Sequence, residues 1–114
     1  MVNHPITDRA SLQEALIANR IPFEVDEDGR IIIQGFSKSG TCSFEFVNDR
    51  VLALTRYGTR TDIKCFRDIA RLAFRWFSDH CDRGFGEPHE IWKPIFLYQG
   101  WIEIKLVEKI VIKR

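Results

Sequence analysis

Several common identifying features are missing from this chain of 114 residues. No apolar run approaches the roughly 20 residues that a membrane-spanning helix needs, and the start MVNHPITDRA lacks the apolar core of a secretory signal. Neither sign of charge predominates, because 17 basic residues stand against 16 acidic ones and the formal net charge is +1. This balance argues against nucleic-acid binding through bulk charge alone, so any electrostatic function must depend on where the charges lie.

Cysteine is scarce, and Cys42, Cys65 and Cys81 form no CxxC pair. An odd number of widely spaced cysteines favours reduced thiols, so we expect no disulfide and a cytoplasmic protein. The phosphate-binding loop, the nucleophile elbow and the zinc-protease motif are also absent, and we expect neither catalytic residues nor a cofactor. The acids and histidines of residues 79–89 lack zinc-finger spacing, so we expect no metal site there.

The chain contains ample hydrophobic residues to form a core. Hydrophobic residues make up 45% of the chain and include nine Phe and three Trp, which suits a single domain over residues 1–114. The stretch FEVDEDGRIIIQG predicts a hairpin, because Asp28-Gly29 is a strong turn signal between apolar runs. The stretches TCSFEFV and VLALTRYG predict a second hairpin that turns at residues 48–50.

Helical segments precede and follow these hairpins. The apolar spacing predicts an N-terminal helix over about residues 8–19, capped by Thr7 or Asp8. It also predicts a long helix over about residues 62–81, capped by Thr61 or Asp62. The stretch WKPIFLYQG predicts a short helix, and the alternating WIEIKLVEKIVIKR predicts a C-terminal strand. We therefore expect an α+β domain with an antiparallel sheet of about four or five strands, two hairpins plus the C-terminal strand. The N-terminal helix and the long amphipathic helix are expected to pack on one face.

The long helix interleaves arginines with large aromatic residues, in KCFRDIARLAFRWFSDHC over residues 64–81. On a helical wheel Phe66, Ala73 and Phe77 lie on one side, and we expect them to be buried with Phe44 of the second hairpin and its neighbour Phe46. The basic residues lie on the other side. Together with two arginines just upstream they form the predicted basic stripe: Arg56, Arg60, Lys64, Arg67, Arg71 and Arg75.

Two interpretations of the basic stripe compete. In the first, the stripe is simply the solvent-exposed side of the helix, and Asp68 and Asp79 neutralise its charge in part. Charged residues on helices usually have this role. The second is a binding surface, because the planar fork of arginine pairs bidentately with carboxylate or phosphate and five of the six residues are arginine.

Aromatic residues also gather around the short helix. Trp92 and Tyr98 are expected to help close the edge of the core. The alternative is that they form an exposed anchor for a partner, since aromatic residues and arginine dominate the hot spots of interfaces.

These features favour a small non-catalytic protein that binds an acidic protein partner through its arginine and aromatic surface. Such a protein would be an inhibitor or accessory factor of the kind that phages and other mobile elements encode. The alternative is a nucleic-acid-binding domain whose basic stripe contacts phosphates, although no signature of a known nucleic-acid-binding module is present. An enzyme or small-ligand binder is the third class, and it requires a pocket that coordinates alone can show. We expect no membrane partner.

Overall fold

The computed structural model describes residues 1–37, 40–54, 60–82 and 91–99, with side chains except at 34–37, 40, 76–82 and 98. Within these residues a five-stranded antiparallel sheet combines with an N-terminal helix and two further helices, so the predicted α+β class is confirmed. The elements are α1 (Arg9–Ala18), β1 (Phe23–Val25), β2 (Ile31–Ser37), β3 (Gly40–Val47), β4 (Arg50–Leu54), β5 (Arg60–Ile63), α2 (Phe66–Asp82) and α3 (Lys93–Tyr98).

The sheet is a meander, because each strand pairs with the next one along the chain. Both predicted hairpins are present, with Val25 opposite Ile31 in the first and Phe44 opposite Ala53 in the second. Their turns contain Gly29 at a φ of 77° and Asn48 at a φ of 54°. Glycine and asparagine are the residues that adopt this left-handed conformation at least cost, so the local sequence fixes where the chain reverses.

The fifth strand is not the predicted one. Residues Arg60–Ile63 pair with β4, whereas the sequence predicts a break there with Thr61 or Asp62 capping the long helix. That prediction is wrong, because the alternation of Arg60 and Asp62 with Thr61 and Ile63 gives β5 one polar and one apolar side, and the apolar side joins the core. The predicted C-terminal strand, in residues 101–114, lies outside the described residues.

All described helices contribute side chains to one hydrophobic core, which lies on one face of the sheet. Trp92, which immediately precedes α3, is buried together with the helix side chains Leu12, Ala15, Leu16, Phe66, Ile69, Ala70, Leu72, Ala73, Ile95 and Phe96. They pack with Ile31, Ile33, Cys42, Phe44, Val51, Ala53 and Ile63 from the strands. Phe44, Phe66 and Ala73 are buried as predicted, Phe46 is only partly buried, and the side chain of Phe77 lies outside the description.

Two of the helix predictions agree with the structure. Asp8 caps α1, because its carboxylate accepts a hydrogen bond of 2.8 Å from the N–H of Ser11. That backbone hydrogen bond and the Ser11 hydroxyl lower the pKa of Asp8. Helix α3 has Pro94 in its first turn, where the missing N–H of proline has no helical acceptor to lose.

Candidate functional site

Helix α2 has one apolar side and one basic side. Its apolar side is buried against the sheet, and Phe66 and Ile69 have no exposed surface. On the other side Arg67, Arg71 and Arg75 are exposed, and we call these three residues the arginine row. Residues four apart in a helix are separated by about 6 Å along its axis, so the row extends over about 12 Å.

The first turn of α2, where the row begins, is held by the N-terminal segment of the chain. The side-chain oxygen of Asn3 accepts a hydrogen bond of 2.7 Å from the backbone N–H of Arg67, one of the amides that has no partner inside a helix. The N–H of Ile6 donates to the carbonyl of Lys64 at 2.8 Å, and the carboxylate of Asp68 accepts from the N–H of Lys64 at 2.8 Å. Two contacts with the distant N-terminal segment and one local contact of Asp68 therefore fix where α2 starts and how its basic side is oriented.

Within the described residues the side chains of the arginine row form no ion pair or hydrogen bond. The two ion pairs found there involve other arginines. Asp68, one acid predicted to neutralise the row, uses its carboxylate on the backbone of Lys64. The other acid, Asp79, belongs to the residues whose side chains are not described. Asp68 therefore forms no direct ion pair with the row, although its carboxylate keeps its charge.

The six residues of the predicted basic stripe do not form one surface. Strand alternation sends Ile63 of β5 into the core under α2 and Arg60 to the opposite face of the sheet. There the Arg60 guanidinium lies 3.3 Å from the carboxylate of Glu45. Lys64 is exposed but precedes α2, and Arg56 lies outside the described residues. The prediction of one continuous stripe is wrong at Arg60, because it assumed a loop where the chain forms β5.

Trp92 is not an exposed anchor. Its exposed fraction is 0%, and its ring stacks on Phe66 at 6.1 Å and on Phe96 at 6.3 Å between centroids. It therefore joins the apolar side of α2 to α3, which is the core role also expected for it. Tyr98 ends α3, and its side chain is outside the description.

The face of the sheet opposite the helices carries paired charges. Arg50 donates two hydrogen bonds to Asp62, the shorter at 2.7 Å, and Arg60 contacts Glu45. The hydrogen bond from Arg50 lowers the pKa of Asp62. These arginines therefore already have local acidic partners, which distinguishes them from the arginine row. Sequence reasoning missed these pairs, because each one joins residues that only the strand register brings together.

A shallow cavity of about 220 Å³ lies between the start of α1 and the β3–β4 turn, lined by residues 7–9, Phe46 and residues 48–50. The guanidinium of Arg9 lies over the Phe46 ring, 4.8 Å from its centre, and Arg50 is held by Asp62. Because both cations are engaged, the cavity offers less to an anionic ligand than the row does.

The described residues offer little for nucleophilic or metal chemistry. Burial raises the pKa of the Cys42 thiol to about 12, so almost no thiolate exists near neutral pH. No three side chains of His, Cys, Asp or Glu come together as metal ligands in this part of the chain, and the candidates at 79–89 lack described side chains. None of the described helices combines the length and apolar character needed to cross a bilayer.

Comparisons of the chain with protein-family models, with curated proteins and with solved structures found no match. The functional assignment below therefore depends on the chemistry and geometry of this chain alone. Exposed arginines that form no ion pair also occur singly at Arg20 and Arg30, but only in the arginine row do the described residues place three of them on one side of a helix.

Proposed function

We propose that this protein is a small binding protein whose arginine row contacts an acidic surface of a protein partner. One observation carries the proposal: three exposed guanidinium groups follow one another at four-residue intervals, without ionic partners in the described residues, on a helix whose other side is buried. The row consists of Arg67, Arg71 and Arg75.

The choice of arginine supports binding. The solvent-exposed side of a helix needs charged residues only to keep the protein soluble, and lysine or glutamate would supply that charge equally well. Arginine adds a planar fork that donates two parallel hydrogen bonds to one carboxylate, and it is less strongly hydrated than lysine. Three arginines on one exposed side are therefore suited to pairing with carboxylates of another molecule.

The charge balance of the whole chain favours a protein partner over nucleic acid. Proteins that bind nucleic acid without sequence preference gain most of their affinity by neutralising many phosphates. The formal net charge here is +1, and Arg50 and Arg60 are engaged by acids on the far side of the sheet. Three phosphate contacts would give a salt dependence of only about −3 in log K against log salt concentration.

The proposed protein acts by binding alone, without a catalytic step, and it acts in the cytoplasm. Cys42 and Cys65 are free thiols, whereas small domains of oxidising compartments usually depend on disulfides. An inhibitor encoded by a mobile element would use such a row to block an acidic surface of its target protein. An accessory factor would use the row to recruit that protein.

Capture of partners from a host lysate tests the proposal, with two variants that change charge equally. The row variant carries Arg67→Glu and Arg71→Glu. The control variant carries Arg20→Glu and Arg30→Glu, which reverse two exposed arginines outside α2. Each bait is used with and without nuclease, and each bait's circular dichroism spectrum is recorded to confirm that it is folded.

We expect the wild type and the control variant to retain the same protein after nuclease treatment, and the row variant to lose it. A partner retained equally by the row variant would contradict the proposal. Material that the wild-type bait loses after nuclease treatment would instead identify nucleic acid as the ligand.

A further inference from the structure

The two edges of the sheet differ in what lies beside them. Just past the end of β5 the N-terminal segment runs alongside the chain, because the N–H of Ile6 donates to the carbonyl of Lys64 at 2.8 Å and Pro5 forms a bridge with Cys65. The other edge is β1, and among the described residues only β2 pairs with it. A strand edge without a neighbour is a template on which another extended chain can pair.

The register of β1 shows which of its backbone groups point outward. The N–H of Asp26, just past the strand, donates to the carbonyl of Arg30. Hydrogen-bonded positions alternate along an antiparallel pair, so the backbone of Glu24 also bonds to β2. The N–H and C=O groups of Phe23 and Val25 therefore point away from β2, and no described residue bonds to them. These four groups are the outer edge of β1.

The side chains of β1 define what an added strand must carry. Val25 lies on the helix side of the sheet, opposite buried Ile31, yet 53% of its surface is exposed. Glu24 is exposed on the other side of the sheet. An added antiparallel strand would place an apolar residue beside Val25 and its next residue directly opposite Glu24, in a pair whose side chains approach closely.

Charge selects a basic strand for this edge. Glu24 forms no ion pair among the described residues. Residues 23–28 carry no base and four acids, which are Glu24, Asp26, Glu27 and Asp28. A second copy of this chain is a poor occupant, because two β1 strands that pair antiparallel through Phe23 and Val25 would place one Glu24 directly opposite the other. Like charges in that position are destabilising.

We infer that the outer edge of β1 binds an extended segment of another protein in which basic and apolar residues alternate, by strand addition. Backbone hydrogen bonds to Phe23 and Val25 hold the segment, and a basic side chain pairs with Glu24. The outer edge of β1 contains no residue of the arginine row and takes a partner of opposite charge. Either surface can therefore fail its test without affecting the other.

Two capped peptides test the inference on the full chain. The lysine peptide alternates lysine with valine, and the glutamate peptide replaces each lysine with glutamate. Fluorescence anisotropy at low salt measures the affinity of each peptide. Hydrogen exchange detected by NMR follows the backbone amides of Phe23, Glu24 and Val25 in the protein alone and with each peptide.

Three variants locate the binding site. Val25→Pro removes an outward N–H and places the proline ring where the added strand would pair, a change that an edge strand tolerates. Glu24→Lys reverses the charge opposite the peptide lysine. Glu14→Lys is the matched control, because it reverses an exposed acid in α1.

In the protein alone we expect the amides of Phe23 and Val25 to exchange faster than that of Glu24, and the lysine peptide to slow both. The lysine peptide should bind about fivefold more tightly than the glutamate peptide, and Glu24→Lys should weaken it by about the same factor. Val25→Pro should weaken it about tenfold and keep the urea midpoint of the wild type. Glu14→Lys should leave its affinity unchanged.

Several results would overturn the inference. Slow exchange of the Phe23 and Val25 amides in the protein alone would show that the edge is already occupied, by a second copy if the protection rises with protein concentration and by another part of the chain if it does not. A large loss of stability in Val25→Pro would likewise show that its N–H has a partner. Binding of the lysine peptide without protection of these amides would place it elsewhere. Equal binding of both peptides, or of neither, would reject a basic strand.

Discussion

On one side of α2, Phe66 and Ile69 have no exposed surface, whereas on the other side Arg67 and Arg71 are exposed to solvent. The buried side must complement the sheet beneath it in shape and polarity, so packing alone explains its residues. The exposed side has no such constraint. The identity of its residues therefore carries information about function that the identity of the buried residues does not.

A second comparison separates the arginine row from Arg50 and Arg60 on the sheet. Arg50 and Arg60 lie within hydrogen-bonding or ion-pair distance of Asp62 and Glu45 on the opposite face of the sheet. Local pairing is a sufficient reason for their presence. No described acid plays that part for the row. Arg20 and Arg30 are also exposed without a described acidic partner, but they lie singly, whereas the row places three guanidinium groups on one side of one helix. This clustering is the reason for placing the binding surface on α2.

The largest expected effect lies on the buried side of α2. Replacing Phe66 with Ala should lower the free energy of unfolding by about 3–5 kcal/mol, because it leaves a cavity beside Trp92. Urea denaturation measures the change. Ile17→Ala is the control, since this side chain is 65% exposed and should have little effect. Equal losses from both changes would mean that α2 does not cover the core.

Burial should also suppress the reactivity of Cys42, in the sheet beneath the helices. With a pKa of about 12 rather than 9.0, its thiolate fraction near pH 8 is lower by about a thousandfold, and alkylation should slow accordingly. The test uses a variant with Cys65→Ser and Cys81→Ser and compares iodoacetamide labelling of the native and the denatured chain by mass spectrometry. Similar rates in both states would show that the thiol is accessible.

The start of α2 should have an intermediate effect. Asn3→Ala removes the acceptor for the N–H of Arg67 and should cost about 0.5–2 kcal/mol, the usual range for a lost helix cap. Asn3→Asp keeps an acceptor oxygen and should retain most of the stability. If urea midpoints for the Ala and Asp variants coincide, the contact does not stabilise α2.

The smallest effect on stability is expected from the arginine row itself. Arg67→Glu with Arg71→Glu should change the free energy of unfolding by only about 0–1 kcal/mol, because exposed charges contribute little to folding. Arg20→Glu with Arg30→Glu is the matched control. A loss of several kcal/mol in the row variant alone would show that the row stabilises the fold.

Local sequence signals were sufficient for much of this fold. Asp28-Gly29 and the segment around Asn48 place two turns, and Asp8 places the start of α1. The wheel of α2 correctly separates buried Phe66 from the exposed arginines. These features depend on residues within a few positions of one another, which is the range over which turn, cap and periodicity rules apply.

Features that depend on distant contacts were not predictable in the same way. A four-residue strand such as β5 has too few positions for its alternation to stand out, and its pairing with β4 decides its structure. This pairing then sends Arg60 away from α2. Trp92 likewise becomes a core residue only because α3 packs against Phe66. The sequence predicted the arginines of the row, but not which of the six basic residues share one surface.

The most direct test of the binding role of the row is arginine footprinting of the wild-type protein. Phenylglyoxal labels accessible guanidinium groups, and mass spectrometry can compare labelling with and without the partner captured from the lysate. We predict that Arg67, Arg71 and Arg75 become protected, whereas Arg20 and Arg30 remain as reactive as in the free protein. Unchanged labelling of the row in the presence of bound partner would contradict the account.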